Sequence, residues 1–111
     1  MASYNKTVLV GNLTRDPELR ETPIGTKVTS LGLAINNTYT KDGEKKQDVV
    51  FITVNVWAKL AEVCVQYLKK GSSVLVDGRL IQKRYEKEDG TKVSTIEVTA
   101  ESVTFLDKKS E

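Results

Sequence analysis

The apolar residues of this chain depart from strand spacing in only one place. In AKLAEVCVQYLKKG (58 to 71) they fall at Leu60, Val63, Cys64, Tyr67 and Leu68, the i, i+3, i+4, i+7, i+8 pattern of a helix with one buried stripe. Gly71 is placed to end that helix as the C′ residue, with Lys69 and Lys70 in its last turn opposing the negative end of the dipole. Everywhere else the apolar residues follow the period of a β-strand or punctuate a turn.

The first strand is KTVLVGNL (6 to 13), with Gly11 at a bend. Asp16-Pro17 and Thr22-Pro23-Ile24-Gly25 are turn signals. The second strand, TKVTSLGLAINNTY (26 to 39), puts Leu31, Leu33 and Ile35 on one face and Gly32 and Ala34 on the other. The charged segment KDGEKKQD (41 to 48) reads as a hairpin loop that Tyr39 begins, leading into a third strand, VVFITVNVW (49 to 57). After the helix come two long strands joined at Asp89-Gly90. Five strands, one helix between the third and fourth, glycines at bends and no βαβ spacing predict an all-β fold, a five-stranded Greek-key barrel of the oligonucleotide/oligosaccharide-binding (OB) type with the helix plugging one end. A chain of 111 residues fits one domain, assigned to 1–106, followed by a short polar tail over 107–111 that includes Lys108 and Lys109.

Composition narrows the chemistry. There is no His, the usual general base and commonest metal ligand, and the single cysteine forms neither an internal disulfide nor a multi-cysteine metal site. Cys64 lies on the helix stripe and reads as a small buried hydrophobe. Gly25-Thr26-Lys27 lacks the spacing of a phosphate-binding loop and opens a strand instead of a helix. Acidic residues such as Glu44, Asp48, Glu86, Glu88 and Asp89 fall in the expected hairpin loops as solvated charge. The expectation is therefore a protein that is not an enzyme and needs no cofactor or metal. The net charge is only +2, so any attraction to a polyanion must come from local clustering. With no apolar run of transmembrane length and no signal-like N-terminus, the chain is expected in the cytoplasm, near the nucleoid, without a membrane partner.

The third strand carries the functional signal. Val50, Ile52, Val54 and Val56 form a β-branched core row, whereas Phe51, Thr53, Asn55 and Trp57 share the opposite face. That second row places two aromatics about 20 Å apart, with polar residues expected to keep the track between them wet. Tyr39 and Tyr85 stand at neighbouring loop mouths, while Tyr67 and Phe105 read as core. Base stacking on aromatic side chains contributes about 1 to 3 kcal/mol per base whatever the base. Basic residues interleave with the aromatics: Lys59 follows Trp57, Lys83 and Arg84 precede Tyr85, Lys41 follows Tyr39, and Arg15 and Arg20 flank the first turn. They would supply the sequence-independent phosphate contacts of a single strand.

The segments NKTVLVGNLTRDPELRETPIGTKV, FITVNVWAKLAEVCVQYLKKGSSVLVDGRL and RYEKEDGTKVSTIEV together resemble the bacterial single-stranded DNA-binding protein family over nearly the whole chain. The resemblance implies an OB fold, a homotetramer, and wrapping of single-stranded DNA in replication, recombination and repair. It matches the family's stacking positions to Tyr39, Phe51, Trp57 and Tyr85, and its basic contacts to Lys59, Lys70, Lys83 and Arg84, with Arg15, Arg20 and Lys41 in more variable loops. The family's Gly/Pro/Gln-rich linker and acidic tip, which recruit partner enzymes, have no counterpart in DKKSE, so recruitment through such a tip is not supported. Two other readings are an OB-fold replication-restart adaptor that mainly binds proteins, with its aromatic row covered by another chain, and a metal-dependent nuclease.

Overall fold

A computed structural model describes residues 2–107. Its elements are β1 (Thr7–Leu13), β2 (Arg20–Glu21), β3 (Lys27–Lys41), β4 (Glu44–Trp57), α1 (Ala58–Tyr67), β5 (Ser73–Glu86) and β6 (Lys92–Phe105). Strands run in the order β1-β5-β6-β4-β3, and β1 closes the ring on β3 through Asn12 opposite Ala34 and Leu13 opposite Leu33. Among the described residues, the one parallel seam joins β4 to β6 at Val54 opposite Val98 and Asn55 opposite Thr99. This is the expected five-stranded closed barrel with one helix. Closure gives every strand of the ring a neighbour on both sides, over only two residue pairs at β1–β3 and at β4–β6, and the distal parts of the β3–β4 and β5–β6 hairpins extend beyond the ring.

The sequence reading missed β2. Thr22 donates its N–H to the Thr26 carbonyl at 2.8 Å and Gly25 donates to Thr22 O at 2.8 Å, so the TPIG turn folds Arg20 and Glu21 back onto Val28 and Lys27. With β2 counted, the helix follows the fourth strand.

Alternation fills the barrel from every side. Leu31 and Leu33 of β3, Val54 and Val56 of β4, Val74 and Val76 of β5 and Val98 of β6 meet in one buried cluster with Leu13, Ala61, Cys64 and Leu68. Each such aliphatic side chain contributes about 1.5 to 3 kcal/mol when fully buried. Cys64 belongs to this cluster as expected, and burial pushes its thiol up to about 11. The core row of β4 is shorter than its sequence suggests. Ile52 is half-buried and Val50 is exposed, because by Val50 the β3–β4 hairpin has left the barrel.

Three further expectations are corrected. The segment EKKQD is strand, not loop: β3 and β4 pair without interruption to Lys41 opposite Glu44, and the turn is only Asp42-Gly43. Both turn residues have positive φ, 54° and 79°, the conformation of the two-residue turn that suits strand twist. Second, the helix ends at Tyr67, about one turn early, and Gly71 is not its C′ residue. The amides that would extend it are taken elsewhere: Lys69 N–H by Ser72 Oγ at 3.1 Å, Lys70 N–H by Asp16 Oδ1 at 2.7 Å, and Gly71 N–H by Leu13 O at 2.8 Å. Third, Tyr67 and Phe105 are not core. Tyr67 is 64% exposed, and the two rings pack on each other at the surface with centroids 6.4 Å apart. The buried helix stripe is Ala61, Cys64 and Leu68, turned away from Tyr67. Of the expected tail, Asp107 accepts the Ser73 N–H at 3.0 Å, while Lys108, Lys109 and the rest of 108–111 lie outside the described residues.

Candidate nucleic-acid interface

Register decides which candidate residues share a surface. Residues directly opposite in paired strands lie on the same face of a sheet. Val54 and Val98 face inward across the parallel seam, so Asn55 and Thr99 face outward. Phe51, Thr53 and Trp57 lie outward with Asn55, and Ser30 and Gly32 of β3 join them as their partners. On β6 the outward row includes Val93, Thr95 and Glu97, opposite Tyr85, Lys83 and Ile81 of β5. Three of the four aromatics, Phe51, Trp57 and Tyr85, therefore share one outer face with Lys83. Phe51 is 72% exposed and Trp57 45%.

Two residues do not follow. Tyr39 sits within β3, not at a loop mouth, an even number of residues from Leu31, Leu33 and Ile35, so it occupies the opposite face of the hairpin from Phe51 and Trp57. Arg84 is adjacent to Lys83 in sequence and opposite to it in direction. It donates from Nη2 to Gln82 Oε1 at 2.7 Å on the reverse face of the β5–β6 ribbon. Lys59 is exposed on α1 two residues past Trp57, and Lys41 lies at the tip of the β3–β4 hairpin. Lys70 follows the helix beside Asp16.

The outer face holds two adjoining grooves. One, of about 290 Å³, is lined by Thr14, Arg15, Gly32, Phe51 and Thr53. Here a Cβ on Gly32 would meet Arg15 Nη1 at 2.6 Å, so the glycine is what lets the guanidinium lie across β3 toward Phe51. The second, of about 530 Å³, shares Arg15 and Thr53 and adds Arg20, Ser30 and Lys83 together with Asp16, Glu18 and Glu97. Arg15, Arg20 and Lys83 are thus brought together, and they share this groove with three carboxylates.

The row between Phe51 and Trp57 is not the wet track the sequence suggested. Asn55 is only 3% exposed, and both ends of its amide are occupied. Ser30 donates its hydroxyl to Asn55 Oδ1 at 2.8 Å, and Asn55 Nδ2 donates to Glu97 Oε1 at 2.7 Å. Arg20 Nη2 donates to Ser30 Oγ at 2.9 Å, and Lys83 Nζ lies 3.3 Å from the same Glu97 oxygen. A single polar chain, Arg20–Ser30–Asn55–Glu97–Lys83, crosses the face from β2 to β5. Sequence reasoning missed Ser30 and Glu97, since only the β4–β6 seam brings Glu97 to Asn55. The one available signal was an amide in a β-branched strand. Among the described residues no cluster of three or more acidic or cysteine groups is placed to hold a metal ion, and no helix is long and apolar enough to cross a membrane.

The family described as "Single-strand binding protein family" matches residues 4–106. The chain belongs to that family. It is 47% identical over 107 residues to a single-stranded DNA-binding protein of Wolinella succinogenes, 50% to single-stranded DNA-binding protein 2 of Listeria monocytogenes, and 51% to single-stranded DNA-binding protein 2 of Staphylococcus aureus. These alignments cover 96% of this chain but 66%, 66% and 74% of the relatives, so the chain spans about two thirds of the length of the proteins it matches. Among solved structures, a deletion mutant of the single-stranded DNA binding protein from Thermus aquaticus superposes with a TM-score of 0.83 at 31% identity, over 94% of this chain and 51% of the other. The Plasmodium falciparum protein solved with single-stranded DNA superposes with 0.89 at 24% identity, over 96% and 98%, and supports the fold.

Proposed function

We propose that this member of the single-strand binding protein family binds single-stranded DNA without sequence preference and protects it in replication, recombination and repair, with no catalytic step. The observation that carries this reading is the outer face on which exposed Phe51, Trp57 and Tyr85 stand with Lys83, beside grooves that hold Arg15 and Arg20. Flat rings offer each base a stacking surface regardless of identity, and the cations follow the phosphates. Tyr39, Lys41, Lys59, Lys70 and Arg84 lie outside this face or at its margins and are proposed as secondary contacts for a strand that continues around the molecule. The assembly proposed is a homotetramer. The exposed Val8 and Val10 on the outward face of β1 provide apolar area for a subunit contact.

Trp57 is the only tryptophan, so its fluorescence reports directly on the face. Titration with oligothymidylate at low salt should quench it; folded protein that shows no quenching would sink the stacking reading and favour a protein-binding adaptor. Trp57→Ala should weaken binding by about 1 to 3 kcal/mol while leaving the dependence on salt intact, whereas Lys83→Ala should make that dependence shallower. Identical salt behaviour in the two variants would refute this division of roles.

A further inference from the structure

Resting on that reading of the outer face, we infer that Glu97 is a built-in competitor of the DNA phosphates, holding Lys83 when no strand is bound and yielding it when a strand binds. Glu97 Oε1 accepts from Asn55 at 2.7 Å and lies 3.3 Å from Lys83 Nζ. The two partners differ in exposure. Asn55 is buried and fixed at its other end by Ser30, so the carboxylate is anchored on the protein side. Lys83 is the outer partner, with over half of its side chain exposed, whereas that of Glu97 is 17% exposed. A lysine ammonium is a compact charge on a flexible stem, able to leave one oxygen for another within reach. A phosphate entering the groove therefore meets a lysine already occupied by a carboxylate that cannot follow it. Binding through Lys83 exchanges one ion pair for another and gains less than an unpaired lysine would supply.

The balance of the groove extends the point. Arg15, Arg20 and Lys83 line it together with Asp16, Glu18 and Glu97, so Coulomb attraction alone holds a polyanion weakly there. Stacking must complete the affinity, and only a strand with accessible base faces can stack. The competitor thus favours single strands over other polyanions.

The test is a double-mutant cycle of Glu97→Gln and Lys83→Ala, read as the oligothymidylate Kd and its slope against salt. Gln keeps the length of the side chain and an oxygen that accepts the Asn55 amide. Freed Lys83 should tighten binding about two- to fivefold at low salt, the range of an exposed ion pair, and steepen the slope by up to about 0.7, one phosphate contact on a single strand. In the Lys83→Ala background the same change should have less than about half that effect on log Kd, because no lysine remains to be freed. Equal effects in the two backgrounds would mean that Glu97 acts only through its general field, and would overturn the inference. Glu97→Asp is the second variant. It retains the charge while shortening the reach to Lys83, so a general field predicts unchanged affinity and a competitor predicts tighter binding; circular dichroism establishes that each variant is folded. Wild-type protein that fails to bind oligothymidylate would refute the proposed function. Binding with an additive cycle would refute only the role of Glu97.

Discussion

Ala58 is a non-glycine residue in the left-handed region, with φ of 58°, immediately after Trp57, whose backbone is still extended at φ −118° and ψ 153°. The chain passes from strand to helix in one residue, and this abrupt turn leaves Trp57 as an N-cap with no side-chain capping bond and its ring outward. An L residue in this conformation costs about 1 to 2 kcal/mol, and such strain persists at binding sites where the surroundings impose it. Glycine escapes the steric cost but loses more chain entropy on folding, about 0.5 to 1 kcal/mol. Ala58→Gly should therefore stabilise the protein by up to about 1.5 kcal/mol, seen as a higher urea midpoint at unchanged m. A lowered midpoint would show that Ala58 is not strained. No sequence pattern signals this residue, because alanine at a helix start is ordinary and the positive φ comes from the tertiary geometry of β4 against α1.

At the scale of elements, the barrel depends on a bulge between β5 and β6. The register shifts at Asp77 and Gly78, which pair with Ser102 and Ala100 and leave Glu101 extra. The shift presses the backbones together: a Cβ on Gly78 would run into the Thr99 carbonyl and meet the Ala100 Cα at 3.1 Å. None of these obstacles is a flexible side-chain end, so Gly78→Ala should cost about 1 to 3 kcal/mol or more, as overpacking does, measured as a lowered denaturation midpoint. A variant as stable as wild type would mean that the bulge can relax. Strand and helix content was legible because alternation and the i, i+3, i+4 pattern come directly from backbone geometry. The Asp42-Gly43 and Asp89-Gly90 turns were legible because each places glycine at positive φ. Boundaries were less so. The end of α1 is set by Asp16, Leu13 and Ser72, residues distant in sequence or beyond the helix, and the length of the β3–β4 hairpin depends on pairing that charged residues do not announce.

At the scale of the whole molecule, parity recovered the placement of Phe51 and Trp57 because both lie where β4 borders the barrel. It missed the burial of Asn55, which required the parallel seam to β6, and adjacency in sequence grouped Arg84 with Lys83 although they face apart. The consequence is a smaller set of proposed phosphate contacts on this face than the seven basic candidates suggest. Arg15, Arg20 and Lys83 line the groove, while Arg84 faces the reverse side and Lys41 lies at a hairpin tip. Each phosphate contact on a single strand adds about 0.7 to the slope of log K against log salt. With Lys83 partly held by Glu97, an oligothymidylate of about eight nucleotides, within the range of one OB barrel, should show a slope between about 1.4 and 2. Affinity at that length must then rest on the aromatics, and Trp57→Ala should be felt as strongly at high salt as at low. A slope above about 3 would show that Lys41, Lys59 or Lys70 joins the groove cations on the same short strand, and that the contact surface extends well beyond the face of Phe51, Trp57 and Tyr85.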